Sequence, residues 1–374
     1  MISRVRYKQA VEKALGRAPI VALVGPRQCG KTTLAREFLP ATSAQYFDLE
    51  DPLIAQLFEN PRHLLEPLRG LVVIDEAQRK PGLFPVLRIL ADRDDAPARF
   101  LILGSAAPEL ARQSSESLAG RVEVIEMRGF DLGEVGDATD ALWLRGGFPR
   151  SFLARNAEDS HVWRRQFIST FLERDLAALG FGLSPALMGR FWIMLAHYNG
   201  QIWNGSEIAA SLGVAPNTAR AYLDALEQTF MVRRLLPWHV NLGKRLVKSP
   251  KLYFRDTGIL HALLGIHDPM QLLTHPKLGA SWEAFVIEET IRGESPDEVW
   301  FYGVHAGSEV DLLMIKNGRR IGVEVKRADA PALTRSMQIA RQDLKLDELW
   351  VIYPGTRTYA LSDLVTVKPL RGLA

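Results

Sequence analysis

At 374 residues, with 47% apolar and 24% charged, the chain has the composition of a globular protein of two to three domains, at roughly 100–200 residues each. A net charge of +3 is too small to argue for nucleic acid in bulk, so only a local basic patch carries such an argument. The single cysteine, Cys29, leaves no disulfide framework and fits a reducing cytoplasm, and neither a signal-peptide stretch nor a membrane-length window of roughly 20 apolar residues is found.

In chain order, Ile20–Val24 is a short β-branched run, followed by a glycine loop and a helix over Thr32–Phe38. Gln45–Leu49, Leu71–Ile74, Phe100–Leu103 and Val122–Met127 are further strand candidates. Those at 71–74 and 100–103 are apolar throughout, as strands buried on both faces are. Strands separated by helix-length segments predict a parallel α/β sheet. Asp131–Asp140 reads as a polar surface connection. Ala141 to about Leu179 is mostly helical, interrupted by Gly146-Gly147-Phe148-Pro149, and Ile202–Pro237 holds two short helices with a turn between them. Beyond about Asp256 a helix over Ser281–Arg292 precedes strand candidates Glu298–Tyr302, Glu309–Ile315, Arg320–Val325 and Leu349–Tyr353, which make a second α/β domain.

The chemistry begins at Gly25-Pro26-Arg27-Gln28-Cys29-Gly30-Lys31-Thr32, a full match to the phosphate-loop pattern GxxxxGK[ST] between a strand and a helix. Glycines let such a loop curl so that its N–H groups point at phosphate oxygens. Lys31 then supplies a charge to the β- and γ-phosphates of ATP, Thr32 a hydroxyl to Mg²⁺, and Thr33 continues the nucleotide-binding set. Leu71-Val72-Val73-Ile74-Asp75-Glu76 is an apolar strand ending in two acids, which sets Asp75 beside the metal and Glu76 where it polarises the attacking water. Gln78 reads equally as a water contact, a subunit contact or a surface residue. Ser105 ends the strand expected beside that of Asp75, where a polar group reaches the γ-phosphate or the water. Arg121 precedes the fifth strand, the place at which AAA+ ring proteins keep an arginine that reaches the neighbouring subunit's γ-phosphate, and Arg112 is the second choice.

Gly-Pro-Arg-Gln-x-Gly-Lys-Thr-Thr, the Asp-Glu-Ala-Gln after the third strand, Gly-Gly-Phe-Pro at 146–149 and Glu-Arg-Asp-Leu at 173–176 follow in this order. Together they resemble a widespread bacterial and archaeal family of AAA-type ATPases with a conserved C-terminal domain of unknown function. The resemblance spans nearly the whole chain and implies an ATPase core with an accessory module.

Ser206–Val214 and Ala215–Arg220 read as helix, turn, helix, with Gly213 at the turn and Asn217-Thr218 as a cap. The basic segment Arg233–Lys251, interleaved with Trp238 and His239, would supply a wing, so the region resembles a winged helix. Arg220, Lys244, Arg245 and Lys248 suit phosphate contacts with DNA; the alternative is a protein-interaction module with a solvated basic face.

Asp311, in Ser308-Glu309-Val310-Asp311, and Glu324 and Lys326, in Gly322-Val323-Glu324-Val325-Lys326, fall on neighbouring strands, with Glu283 on the helix upstream. This is similar to the PD-(D/E)xK restriction-endonuclease-like superfamily, with Val310 where its proline usually stands. The resemblance implies two carboxylates for Mg²⁺ and a lysine for the water. A salt-bridged scaffold is the alternative.

The expected architecture is therefore α/β: a P-loop NTPase parallel sheet (AAA+ core) over 1–135, a helical lid or linker over 136–200, a winged-helix-like segment over 201–255 and a nuclease-like domain over 256–374. The expected activity is ATP binding and hydrolysis with Mg²⁺, acting on or regulated by DNA, in a cytoplasmic homo-oligomeric ring for which a hexamer is one size. Two alternatives stand beside it: a nucleotide-regulated protein-interaction switch without nucleic acid, and a Mg²⁺-dependent nuclease licensed by ATP.

Overall fold

The structure, a computed structural model, describes residues 2–39, 45–93, 98–105, 118–238, 247–304 and 308–373. They fall into two units, Met1–Gly129 with Gln228–Phe230, and Phe130–Glu227 with Met231–Ala374.

In the first unit the apolar runs form β1 (Ile20–Val24), β2 (Tyr46–Asp48), β3 (Gly70–Asp75), β4 (Ala98–Gly104) and β5 (Val122–Glu126). These make one parallel sheet in the order β2-β3-β4-β1-β5. Alternate residues of each strand serve opposite faces. Ile20, Ala22, Val72, Ile74, Phe100 and Ile102 pack on one side with Leu83, Phe84, Leu87 and Leu90 of the helix Leu83–Ala91. Val21, Leu23, Val73, Leu101 and Leu103 pack on the other with Tyr7, Val11 and Ala14 of the helix Val5–Arg17. Both faces are covered over β1, β3 and β4, which is why those strands carry no polar alternation, whereas β5 at the sheet edge alternates and is partly exposed. Because every strand runs the same way, the residues that follow β1, β3 and β4 share one edge of the sheet. That edge is where α/β folds place their ligands.

The second unit opens with helices around an aromatic core that includes Phe148, Phe167, Phe171, Phe191, Trp192 and Tyr222. The helices Gly205–Leu212 and Pro216–Gln228 form as expected, with Asn204 capping the first and Gly213 left-handed at its end. An antiparallel hairpin, β6 (Val232–Leu235) and β7 (Lys251–Phe254), follows. A second sheet has the order β12-β13-β11-β10-β9-β8. Its strands are β8 (Glu298–Gly303), β9 (Glu309–Lys316), β10 (Arg319–Val325), β11 (Glu348–Tyr353), β12 (Tyr359–Ser362) and β13 (Val365–Pro369). The pairs β8–β9, β9–β10 and β12–β13 are antiparallel, and β10–β11 and β11–β13 are parallel. The sequence reading closed the set at Tyr353; β12 and β13 are short, and β12 is only half-buried, so their apolar pattern is weak. No helix among the described residues is long and apolar enough to cross a membrane.

The second unit also holds a fully buried histidine. His261 lies 3.0 Å by Nδ1 from the Leu144 carbonyl and 2.6 Å by Nε2 from Ser281 Oγ, which in turn accepts from Trp143 Nε1 at 2.9 Å. A carbonyl only accepts, so Nδ1 carries the proton and the Ser281 hydroxyl donates to Nε2. Burial pushes the imidazole down from 6.5 to about 3, so it is neutral in the fold. The unfolded chain takes up that proton first. Stability is therefore lost as pH falls from 6.5 toward about 3, with a slope of about 1.4 kcal/mol per pH unit from this group. Urea unfolding at pH 7 and pH 5 should show a shallower pH dependence in His261→Gln than in the parent. Equal slopes would mean that His261 is not the neutral, buried group described.

Candidate functional site

The phosphate loop leaves β1 at Gly25, whose φ of +155° brings its backbone so close to β5 that a Cβ would stand 1.9 Å from the Met127 carbonyl oxygen. Only glycine passes there. Cys29 is buried, with Sγ 3.5 Å from that same oxygen, so it anchors the loop by packing. Arg4 holds the loop from beneath, donating to the carbonyls of Cys29 (3.2 Å), Arg128 (2.7 Å) and Gly129 (3.2 Å). Pro26 is buried, Gln28 and Thr33 are exposed, and Arg27 pairs with Glu50. Gly30 opens the helix Lys31–Arg36, shorter than the expected Thr32–Phe38. Lys31 is buried, with Nζ turned into the loop at 2.8 Å from the Gly25 carbonyl and 2.9 Å from that of Pro26.

Thr32 Oγ1 donates to Asp75 Oδ2 at 2.7 Å, and Tyr46 donates to the same oxygen at 2.6 Å. Burial, reinforced by that bond, holds the Tyr46 phenol above its usual range, so it stays a donor. The Glu76 amide donates to Asp75 Oδ1 at 2.9 Å. Glu76 itself is left-handed, φ +54°, a conformation that costs about 1 kcal/mol or more outside glycine. Its carboxylate accepts Ser105 Oγ, 2.8 Å from each oxygen, and Gln78 Nε2. Gln78 is half-buried, and its Oε1 has no partner among the described residues. Thus Thr32, Asp75, Glu76 and Ser105, separated by up to 73 positions, form one hydrogen-bonded line at the sheet edge. Arg121 stands apart, its guanidinium donating to Asp92, with Nη2 2.8 Å from Oδ2. Arg112 lies outside the described residues. Sequence reasoning missed Tyr46 and Arg4; both act through contacts remote in sequence, and no local pattern signals them.

In the second unit, Glu283, Asp311, Glu324 and Lys326 share a cavity of about 1070 Å³. Asp311 Oδ2 accepts the Val325 amide at 2.9 Å, and Lys326 Nζ donates to Glu324 Oε1 at 2.7 Å. Burial, with Asp311 nearby, pushes the Glu324 carboxyl up to about 8; the same causes push Glu283 up to about 7. A residue not singled out from sequence stands among them: Lys251, buried, contacts Glu309 and lies 3.5 Å from both Glu283 Oε1 and Asp311 Oδ1. Tyr253, two residues on, donates to Glu283 Oε1 at 2.6 Å. Among the described residues no group of three or more His, Cys, Asp or Glu is arranged to hold a metal ion.

Of the residues expected to meet DNA phosphates, Arg220 and Lys248 are exposed, and Lys244 and Arg245 lie outside the described residues. Elsewhere in the same basic segment, Arg233 pairs with Glu288, and Arg234 with Asp224 and Glu227.

The parallel sheet and the loop–acid geometry define a P-loop domain, and residues 17–136 match the AAA domain family. The first unit is thus built on an AAA-type ATPase domain. Residues 136–270 and 278–373 match two domains of unknown function, DUF8612 and DUF4143. Over 370 residues the chain is 51% identical to uncharacterized proteins of Mycobacterium tuberculosis and Mycobacterium bovis, covering 99% of this chain and 84% of each relative. The chain belongs to the family of these mycobacterial proteins. Among solved structures it is similar to the Walker-type ATPase of Pyrococcus abyssi, with TM-score 0.49, 16% identity, and coverage of 71% of this chain and 96% of that one. The RuvB Holliday junction branch migration motor of Thermotoga maritima matches with TM-score 0.29 and 19% identity, covering 62% of this chain and 90% of that one.

Proposed function

We propose that the first unit binds ATP with Mg²⁺ and hydrolyses it. One observation carries this: the hydrogen-bonded line from Thr32 through Asp75 and Glu76 to Ser105, lying at the end of the phosphate loop. The residues fit the metal, because a hydroxyl and a carboxylate 2.7 Å apart present the hard oxygens that Mg²⁺ takes. When bound, the ion neutralises charge on the β- and γ-phosphate oxygens. Lys31 exchanges its two loop carbonyls for phosphate oxygens. Glu76 orients and polarises the attacking water, while Ser105 and Gln78 fix the carboxylate's direction. Gln78 Oε1 is left to accept a hydrogen bond from that water. The test is phosphate release from ATP by the full chain, with Mg²⁺ or with EDTA. Release that is absent, or equal in both, would sink the proposal.

We extend it to a homo-oligomer in which Arg121 reaches the nucleotide of a neighbouring copy. Its exposed pairing with Asp92 is of a kind readily given up. DNA contact through the second unit rests on Arg220 and Lys248, the described members of the basic set, both exposed. Phosphate contacts carry no sequence information. Replacing both with Ala should therefore weaken duplex binding evenly across sequences and reduce the log–log salt slope by about 2. A parent chain that binds no single-stranded, duplex or branched DNA at low salt would favour the protein-interaction switch instead.

A further inference from the structure

The acidic pocket of the second unit has the carboxylates that a divalent ion would need, yet a cation already stands among them. Lys251 opens β7, and its ammonium touches Glu309 while lying 3.5 Å from Glu283 Oε1 and from Asp311 Oδ1. These three acids come from the helix Leu278–Glu294 and from β9, so one charge bridges two elements. The residue is buried, only 5% exposed. Its backbone is pinned as well: Lys251 pairs with Leu235 of β6 and bridges to Ile202, and the flanking Pro250 carbonyl accepts the Trp203 amide at 2.8 Å. Lys326 differs in kind, with its side chain 39% exposed at the rim and hydrogen-bonded to Glu324.

Other oxygens of the pocket are also engaged. Asp311 Oδ2 holds the Val325 amide, and Glu283 Oε1 takes the Tyr253 hydroxyl besides Lys251. Glu324 Oε2 is buried without a partner among the described residues, but the other oxygen of that carboxylate is held by Lys326. A divalent ion placed between Glu283 and Asp311 would meet the Lys251 ammonium already standing there. The residues present do not fit the metal that the nuclease resemblance implies.

We infer that Lys251 is the resident cation of this pocket, holding among Glu283, Glu309 and Asp311 the position a divalent ion would occupy, so that the site is built to stand without divalent metal. The inference is independent of the ATPase reading, since it concerns a different set of residues.

Mn²⁺ is the probe, counted by electron paramagnetic resonance on the full chain without nucleotide. Asp311→Asn serves as the reference that cancels ions bound anywhere else. The parent and Asp311→Asn should bind the same number of Mn²⁺, and the parent's melting temperature should not rise with Mn²⁺. Lys251→Met keeps most of the length of the side chain, one atom short, and removes its charge. It should bind one Mn²⁺ more than the parent and melt higher with the ion, and the added Asp311→Asn should cancel both gains. A parent that binds an Asp311-dependent Mn²⁺ overturns the inference, as does a folded Lys251→Met that gains none. If Lys251→Met does not fold, the comparison of parent with Asp311→Asn decides alone.

Discussion

Lys31→Ala should abolish ATP binding, whereas Glu76→Gln should keep it and lower turnover by about 10²–10⁴-fold, the usual contribution of a positioned carboxylate to proton transfer. The two outcomes differ because the residues serve different stages. Lys31 is buried inside the loop, with its charge 2.8 and 2.9 Å from loop carbonyls. Alanine removes the cation that the phosphates would meet and leaves those carbonyls unserved. Glu76 stands one residue beyond Asp75, the proposed metal ligand, and Ser105 and Gln78 hold its carboxylate. Glutamine preserves the shape and those contacts at one oxygen but removes the negative charge that would polarise water. Titration with a fluorescent ATP analogue reads the first effect, and single-turnover phosphate release reads the second. Circular dichroism of each variant separates loss of function from loss of fold. A Glu76→Gln variant that hydrolyses at the parental rate would mean that the catalytic carboxylate has been misassigned.

These residues were legible in the sequence because their chemistry is local. A strand, a glycine loop and Lys-Thr within eight positions, or an apolar strand ending in two acids, declares itself without the fold. The parallel sheet was legible for the same reason: strands buried on both faces are apolar without alternation. What the sequence hides is contact at a distance. Tyr46 meets Asp75 29 positions on, and Arg4 reaches carbonyls 25 and 124 positions away. Lys251 sits at the end of a basic run and reads as a solvated charge, yet the β6–β7 hairpin turns it inward onto acids of β9. The helix Leu278–Glu294 misleads in the opposite direction. Its Glu288 and Glu289 look like a polar face but are buried, Glu288 against Arg233 and Glu289 against the Leu132 amide and Arg292. A charge whose partner lies elsewhere in the chain has no periodic signature.

Gly146→Ala should cost the second unit about 2–5 kcal/mol, from left-handed strain and overpacking together. The residue begins the Gly-Gly-Phe-Pro motif and ends the helix Thr139–Arg145 with φ +75°. A Cβ there would fall 2.1 Å from Asp256 Oδ1 and 2.6 Å from its Cγ. That carboxylate cannot retreat cheaply. It accepts the Gly147 amide at 2.8 Å through Oδ2 and the Ile259 amide at 2.9 Å through Oδ1, capping the helix Thr257–Leu263. The motif is therefore a close-packing device that lets a half-buried aspartate tie two helices together. Gly136→Ala is the control, because φ is +59° there but nothing lies within 4 Å of the added carbon. It should lose only the backbone part, about 1 kcal/mol. For a domain of this size the melting temperature should fall by about 5–15 °C in Gly146→Ala and by a few degrees in Gly136→Ala. Equal losses in calorimetry would show that strain alone, and not the collision with Asp256, accounts for the glycine.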